Sequence, residues 1–285
     1  HRALNYGAIL QAYALENILA EVGVYTEIID YRCLYTECVY RPFDIRHCKN
    51  ISSGAKKCVK SFELIKKRRR FNEFTKKHLR VTKKCGTKTD LQRTAAKFDA
   101  VITGSDQVWN PNATGGDFGY FLDFVGSGTK KIAYAASIGY RTFPPKYESK
   151  CIEYLKGFES ISVREKSACK TVAESADKDV ENVLDPTLLL SDLRWLDIAK
   201  KPRNLPHRYI LVYMMEGCKY TIEKARALAR DKECDLVLIN PTLRQRQTCK
   251  DFVMYKAASP EEFVGMFAQA DAVVTNSFHG VVFSL

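Results

Sequence analysis

Short apolar runs alternate with amphipathic stretches along almost the whole chain. This alternation limits the fold more than any other feature. Parallel strands cannot be joined by tight turns; each needs a crossover, usually a helix. The reading is therefore α/β, with parallel sheets and helices on both faces. A helix is expected over 8–19, with Ile9, Tyr13, Ile18 and Leu19 facing the core and Gly23 ending it. Strands are expected over 24–31, 98–104, 132–138, 161–163 and 180–184, with helices over 147–158 and from Arg164 onward. A basic, cysteine-bearing segment, loop then helix, runs to about Leu79. A second alternating set follows: strands at 209–214, 236–239, 252–255 and after Ala270, and a helix at 220–230. Another helix starts after Ser259, where Pro260 and Glu262 complete a capping box. The stretch 188–206 has no clean period and carries Pro202 and Pro206, so it reads as a connection. The expected organisation is 1–187 as one doubly wound domain, 188–206 as linker and 207–285 as a second, the two facing a cleft.

A length of 285 residues, 46% of them hydrophobic, suits two cores, at roughly 100–200 residues per domain. No run reaches the ~18 apolar residues of a membrane span. The formal charge of +12 includes the tract Lys66-Lys67-Arg68-Arg69-Arg70. Phe71, Phe74 and Leu79 follow it at helical spacing, which favours a solvated helix face over a nucleic-acid patch, and no nucleic-acid motif accompanies it. A general positive field favours an anionic substrate. None of the ten cysteines forms a C-x-x-C pair. Cys33, Cys38, Cys48 and Cys58, with His47, are too loosely spaced for zinc, so no metal is expected. Reduced thiols in an intracellular protein, several of them buried, is the simpler reading.

In open parallel sheets, ligands bind beyond the carboxyl ends of the strands, where helix N-termini also lie. Three strand ends here are rich in polar groups. The first is Thr103-Gly104-Ser105-Asp106-Gln107-Val108-Trp109-Asn110. Asp106, Gln107 and Asn110 beside the Trp109 ring suit a sugar, although a core-anchored Trp109 explains the stretch as well. The second is Ser162-Val163-Arg164-Glu165, where the Arg164 guanidinium can fork onto a phosphate or carboxylate, or simply pair with a neighbouring acid. The third is Thr275-Asn276-Ser277-Phe278-His279-Gly280. There Asn276 and Ser277 can donate to an anion, Gly280 allows close backbone approach, and His279 can carry a proton. The chain has no G-x-G-x-x-G, P-loop, G-x-S-x-G or H-E-x-x-H motif, so dinucleotide and ordinary ATP use find no support.

Taken in order, "NYGAILQAYAL" (5–15), "FDAVITGSDQVWNP" (98–111), "YFLDFV" (120–125), "KIAYAASIG" (131–139), "SVRE" (162–165), "VLDPTLLL" (183–190) and "NSFHG" (276–280) resemble the polysaccharide pyruvyl transferase family. The resemblance spans nearly the whole chain. It implies two Rossmann-like domains in a glycosyltransferase-B-like arrangement. It implies transfer of a pyruvyl group from phosphoenolpyruvate, a co-substrate, onto a sugar of a surface or exopolysaccharide precursor, with no metal or redox cofactor. By position, Arg164 is the donor-gripping arginine, and His279 is donor ligand and acid/base. Asn276, Ser277 and Gly280 lie on the donor side. Asn5, Tyr6, Asp106, Gln107, Trp109 and Asn110 lie on the side of the glycan or lipid-linked sugar acceptor. Many members carry Arg-Leu-His-Gly where this chain has Ser277-Phe278-His279-Gly280, so that arginine is absent. The family pattern also extends beyond both ends of this sequence, and the chain reads as truncated at each.

The expected partners are therefore phosphoenolpyruvate and a sugar acceptor, with no nucleic acid and no membrane span. The expected location is the cytoplasm, with the inner membrane face as an alternative. Two other functions fit the same fold. One is a nucleotide-sugar glycosyltransferase, with 240–247 holding the nucleotide. The other is a non-catalytic glycan-binding relative.

Overall fold

The computed structural model describes residues 2–40, 51–215 and 217–285, with side chains from residue 61 onward in the helix that begins at Ile51. It is an α/β protein built on parallel sheets. Its first half runs α1 (Tyr6–Glu21), β1 (Ile28–Tyr31), α2 (Leu34–Val39), α3 (Ile51–His78), β2 (Val81–Cys85), α4 (Lys88–Ala95), β3 (Ala100–Thr103), α5 (Pro111–Thr114), β4 (Lys130–Ala136), α6 (Glu148–Leu155), β5 (Ser160–Val163), α7 (Lys166–Ala176) and β6 (Val180–Asn182). There follow α8 (Asp192–Ile198), β7 (Tyr209–Tyr213), α9 (Lys219–Lys232), β8 (Asp235–Ile239), α10 (Leu243–Thr248), β9 (Val253–Tyr255), α11 (Pro260–Ala268), β10 (Ala272–Thr275) and α12 (Phe278–Val282). Among the described residues, no helix is long and apolar enough to cross a membrane. His47 and Cys48 lie outside the described residues. Of the described cysteines, Cys33, Cys85, Cys151 and Cys249 are buried.

The chain divides into two compact units. One comprises His1–Arg41 and His78–Leu190, the other Pro42–Lys77 and Ser191–Leu285. This partition differs from the sequence division at 187 and 206, because α3 packs with the second unit up to Lys77. Polar side chains of α3 hold it there. Glu63 takes Arg246 at 2.7 Å, Lys67 donates to Asn240 Oδ1 at 3.0 Å, and Arg70 binds Glu262 and the Ala257 carbonyl. The expected linker also holds a helix, α8, which buries Trp195 and Ile198.

The basic tract is thus not a uniformly solvated face. Lys66 and Arg69 are exposed, whereas Lys67 is buried against the Phe71 ring. Burial pulls the Lys67 ammonium down to about 7. Its folded pKa lies below the unfolded value of ~10.4, so between about pH 7 and ~10.4 the unfolded chain holds the extra proton. Stability is therefore expected to rise with pH across that window, by at most about 1.4 kcal/mol per pH unit, and to lose this slope below pH 7. Lys67→Met should flatten the dependence and stabilise the protein at pH 6. Thermal melts from pH 6 to 10 test this, and an unchanged slope in the variant would exclude Lys67 as its source.

In the second unit the strand order is β10-β7-β8-β9, all parallel. β7 is buried at every residue, because both faces of a doubly wound sheet are covered. Val212, Met214, Ile222, Leu238 and Phe252 form part of its core. The chain passes from β7 to β8 and β9, then returns through α11 to place β10 on the opposite side of β7. The connection reverses between β7 and β10, which makes that junction the topological switch point. The capping box expected at Ser259 is present, with Glu262 N donating to Ser259 Oγ and Ser259 N to Glu262 Oε2.

The first unit has a sequential sheet, β3-β4-β5-β6, and a separate parallel pair, β1-β2. The single doubly wound sheet expected here is thus two sheets. Its main core centres on Trp109, which stacks on Phe121 at 5.7 Å and meets Phe158 edge-on at 5.4 Å.

Candidate functional site

At the switch point of the second unit, β10 ends in Thr275 and the chain turns at once into α12. The Thr275 hydroxyl donates to the Tyr213 carbonyl at 2.6 Å and accepts from Ser277 N at 3.1 Å. Asn276 Oδ1 accepts from Met215 N at 3.0 Å, tying the end of β10 to the loop after β7. Ser277 is buried at the N-cap of α12. His279 is also buried, its ring edge-on to Phe278 at 5.1 Å, while Phe278 is 43% exposed. Gly280 also has a packing role. A Cβ there would collide with the Thr275 hydroxyl, so the glycine lets α12 pack onto the strand end.

Beside this turn, α9 begins after β7. Its N-cap, Cys218, has its thiol pKa lowered, first by the Thr221 hydroxyl and then by the backbone N–H groups of Thr221 and Tyr220. The end of this helix therefore favours negative charge, as a helix N-terminus does. At the neighbouring β8 end, Thr242 and Gln245 form a second capping box, which fixes the start of α10 within 240–247.

The strand ends of the first unit converge on one acid. Asp185 is fully buried after β6. Its Oδ2 accepts from Ser105 Oγ at 2.6 Å and from Arg164 Nη1 at 3.4 Å. Its Oδ1 accepts from the Thr187 hydroxyl at 2.6 Å and from Thr187 N at 3.0 Å. Gln11 of α1 joins by accepting from Ser105 N at 3.1 Å. Burial, and then the Asp185 charge, raise the pKa of the nearby Tyr134 phenol. Arg164 also donates to Glu165 Oε1 at 2.9 Å, and its side chain is only 7% exposed. The guanidinium expected to wait for a donor is thus built into an ion-pair network.

The expected sugar-binding residues separate into two groups. Asp106 and Gln107 stay accessible; Asp106 adopts a positive φ of 80° and its carboxylate accepts from Gln107 N. The others serve the fold. Trp109 is wholly enclosed and its indole N–H donates to the Tyr120 carbonyl at 3.2 Å, so its face is not available to a sugar. Asn110 is buried, caps α5 and donates to Gln107 Oε1. Tyr6 is buried, and Asn5 caps α1 by accepting from Ala8 N. Sequence reasoning did not single out Gln11, Ser105, Asp185 or Thr187. All four lie within the quoted motifs, Gln11 in 5–15, Ser105 in 98–111 and Asp185 and Thr187 in 183–190.

Parallel sheets joined by helices, with polar side chains beyond the strands' carboxyl ends, define an α/β protein. The family model described as polysaccharide pyruvyl transferase matches residues 5–285, and the chain belongs to that family. No curated protein matches the chain.

Proposed function

We propose that the protein transfers a pyruvyl group from phosphoenolpyruvate to a sugar of a surface or exopolysaccharide precursor, forming a cyclic ketal. The observation that carries this reading is the Thr275–Gly280 turn at the switch point of the second unit, where Asn276 is tied to the loop after β7 and His279 is buried at the start of α12. Family membership supplies the reaction class. In the proposed reaction the methylene carbon of the enol accepts a proton, and the carbon bearing oxygen becomes oxocarbenium-like. A sugar hydroxyl attacks that carbon and gives up its proton. The bond from carbon to the phosphate oxygen breaks, and a second hydroxyl closes the ketal as its proton passes to the departing phosphate. These steps need a general acid, a general base and cover for the phosphate charge.

In this reading His279 handles the proton and contacts the donor, with Asn276 and Ser277 next to it. Arg164 would have to release Asp185 or Glu165 to grip an anion, so its proposed part is to fix Asp185 and Ser105. Asp106 and Gln107 take the acceptor. The glycosyltransferase-B-like arrangement belongs to the same proposal, and a cytoplasmic location follows from the donor. The test is incubation with phosphoenolpyruvate and candidate glycans, following inorganic phosphate. Phosphate release that depends on glycan is expected. Absence of release, with tight binding of a nucleotide sugar instead, would overturn the reading.

A further inference from the structure

Helix α3 presents two unlike faces. Lys67, Phe71, Phe74 and Thr75 are buried. At about 100° per residue they share one side of the helix with Glu63 and Arg70, whose ion pairs tie α3 into the second unit. The opposite side carries Phe62, Ile65, Lys66, Arg69, Lys76 and Lys77, all exposed. Glu73 stands in the same stripe and pairs with Arg69 at 2.8 Å, so four cations there face one carboxylate. From Phe62 to Lys77 the stripe is about 22 Å long. A single exposed apolar side chain is ordinary. Phe62 and Ile65 differ in standing one turn apart, 70% and 51% exposed, at the head of a row of cations. Leu193 and Leu196 of α8 are also exposed, but they stand beside Asp192 and Asp197.

We propose that this stripe of α3 docks on an anionic lipid bilayer, the helix lying in the plane of the surface with Phe62 and Ile65 inserted below the phosphates. Charge complementarity selects this partner. Water leaves the two apolar side chains uncovered. A second copy of the same stripe would set cations against cations. A nucleic-acid backbone would neutralise the cations, but it offers phosphate and sugar to the aliphatic Ile65. An anionic bilayer meets both needs in one plane. Its phosphate layer takes the ammonium and guanidinium groups, and the acyl boundary just beneath takes Phe62 and Ile65. The long stems of Lys66, Arg69, Lys76 and Lys77 let their charged heads stay at the headgroup level. The chain's formal charge of +12 adds a long-range attraction to the same surface. The docking rests on the stripe alone. Joined to the proposed reaction, it would bring the protein to the leaflet that holds a lipid-linked sugar.

The test is co-sedimentation with vesicles of phosphatidylcholine containing about 30% phosphatidylglycerol, and with vesicles of phosphatidylcholine alone. The protein is expected to bind the anionic vesicles and not the neutral ones, and to bind at least about tenfold more weakly when salt is raised from ~0.1 M to ~0.5 M. Phe62→Ser with Ile65→Ser should lower partitioning by at least about tenfold, and so should Lys66→Glu with Lys76→Glu. Lys130→Glu with Lys170→Glu makes the same change in net charge at exposed sites off α3, and should stay within about twofold of the wild type. Thermal melts check that every variant folds, since none of these side chains is buried. No binding of the wild type to the anionic vesicles would overturn the proposal. So would unchanged binding of the Phe62→Ser, Ile65→Ser variant, or equal losses from the two charge reversals, since the attraction would then belong to net charge. Preference for a DNA duplex over the vesicles, with the serine variant binding it as well as the wild type, would assign the stripe to nucleic acid instead.

Discussion

Asp185→Ala is expected to destabilise the first unit by about 3–5 kcal/mol, the usual cost of removing one member of a buried ion pair. The acid reaches Ser105, Arg164 and Thr187 together. Without it, Arg164 keeps Glu165, but a guanidinium only 7% exposed loses its second acid. The Ser105 and Thr187 hydroxyls lose a charged acceptor, and each such bond contributes about 1.5–3 kcal/mol. Ser105→Ala should therefore cost less than Asp185→Ala. The double variant Arg164→Met with Asp185→Ala should recover part of the loss, because it removes the stranded charge along with its partner. Urea unfolding of the wild type and the three variants measures these differences. If Asp185→Ala loses under 1 kcal/mol, or the double variant is no better than the single, the network does not organise these strand ends.

The legible part of this molecule is what periodicity and caps encode. The strands at 98–104, 132–138 and 209–214 were readable because each is a short apolar run, and the structure places β3, β4 and β7 there, β7 buried at every residue and the other two in part. The Ser259 capping box was readable because its partners are three residues apart. The strand β2 was not. Val81-Thr82-Lys83-Lys84-Cys85 carries two lysines, and only Cys85 is buried, so no apolar run marks it. Helix α8 was missed because it is seven residues long and buries only Trp195 and Ile198. The site was harder than the fold. A polar stretch such as 103–110 looks alike whether its groups await a ligand or hold the loop. Only burial separates them: Asn110 caps a helix and Trp109 fills the core, while Gln107 remains exposed. Asp185 was hidden for a related reason. Its partners sit 80, 21 and 2 residues away, and no local pattern reports such convergence.

His279→Ala is expected to lower pyruvyl transfer by at least ~100-fold, the scale of a lost general acid or base. The variant should remain folded, because α12 is anchored by other contacts. Val281 N reaches the Ser277 carbonyl, and Phe283 packs on Trp195 at 5.0 Å. The pattern of loss separates two roles. If His279 moves the proton, kcat falls and one limb of the pH–rate profile disappears, with KM for phosphoenolpyruvate little changed. If it mainly holds the donor phosphate, KM rises instead, and His279→Asn, which keeps a donor, should recover part of the binding. Phe278→Ala is the companion variant. Its ring meets the His279 imidazole edge-on and is itself partly exposed, so its loss should loosen the imidazole without removing it. The expected drop is therefore smaller than for His279→Ala. Wild-type turnover in His279→Ala would remove this histidine from the reaction while leaving the family assignment intact. It would also direct attention to the α9 N-terminus, the other anion-favouring group at the same switch point.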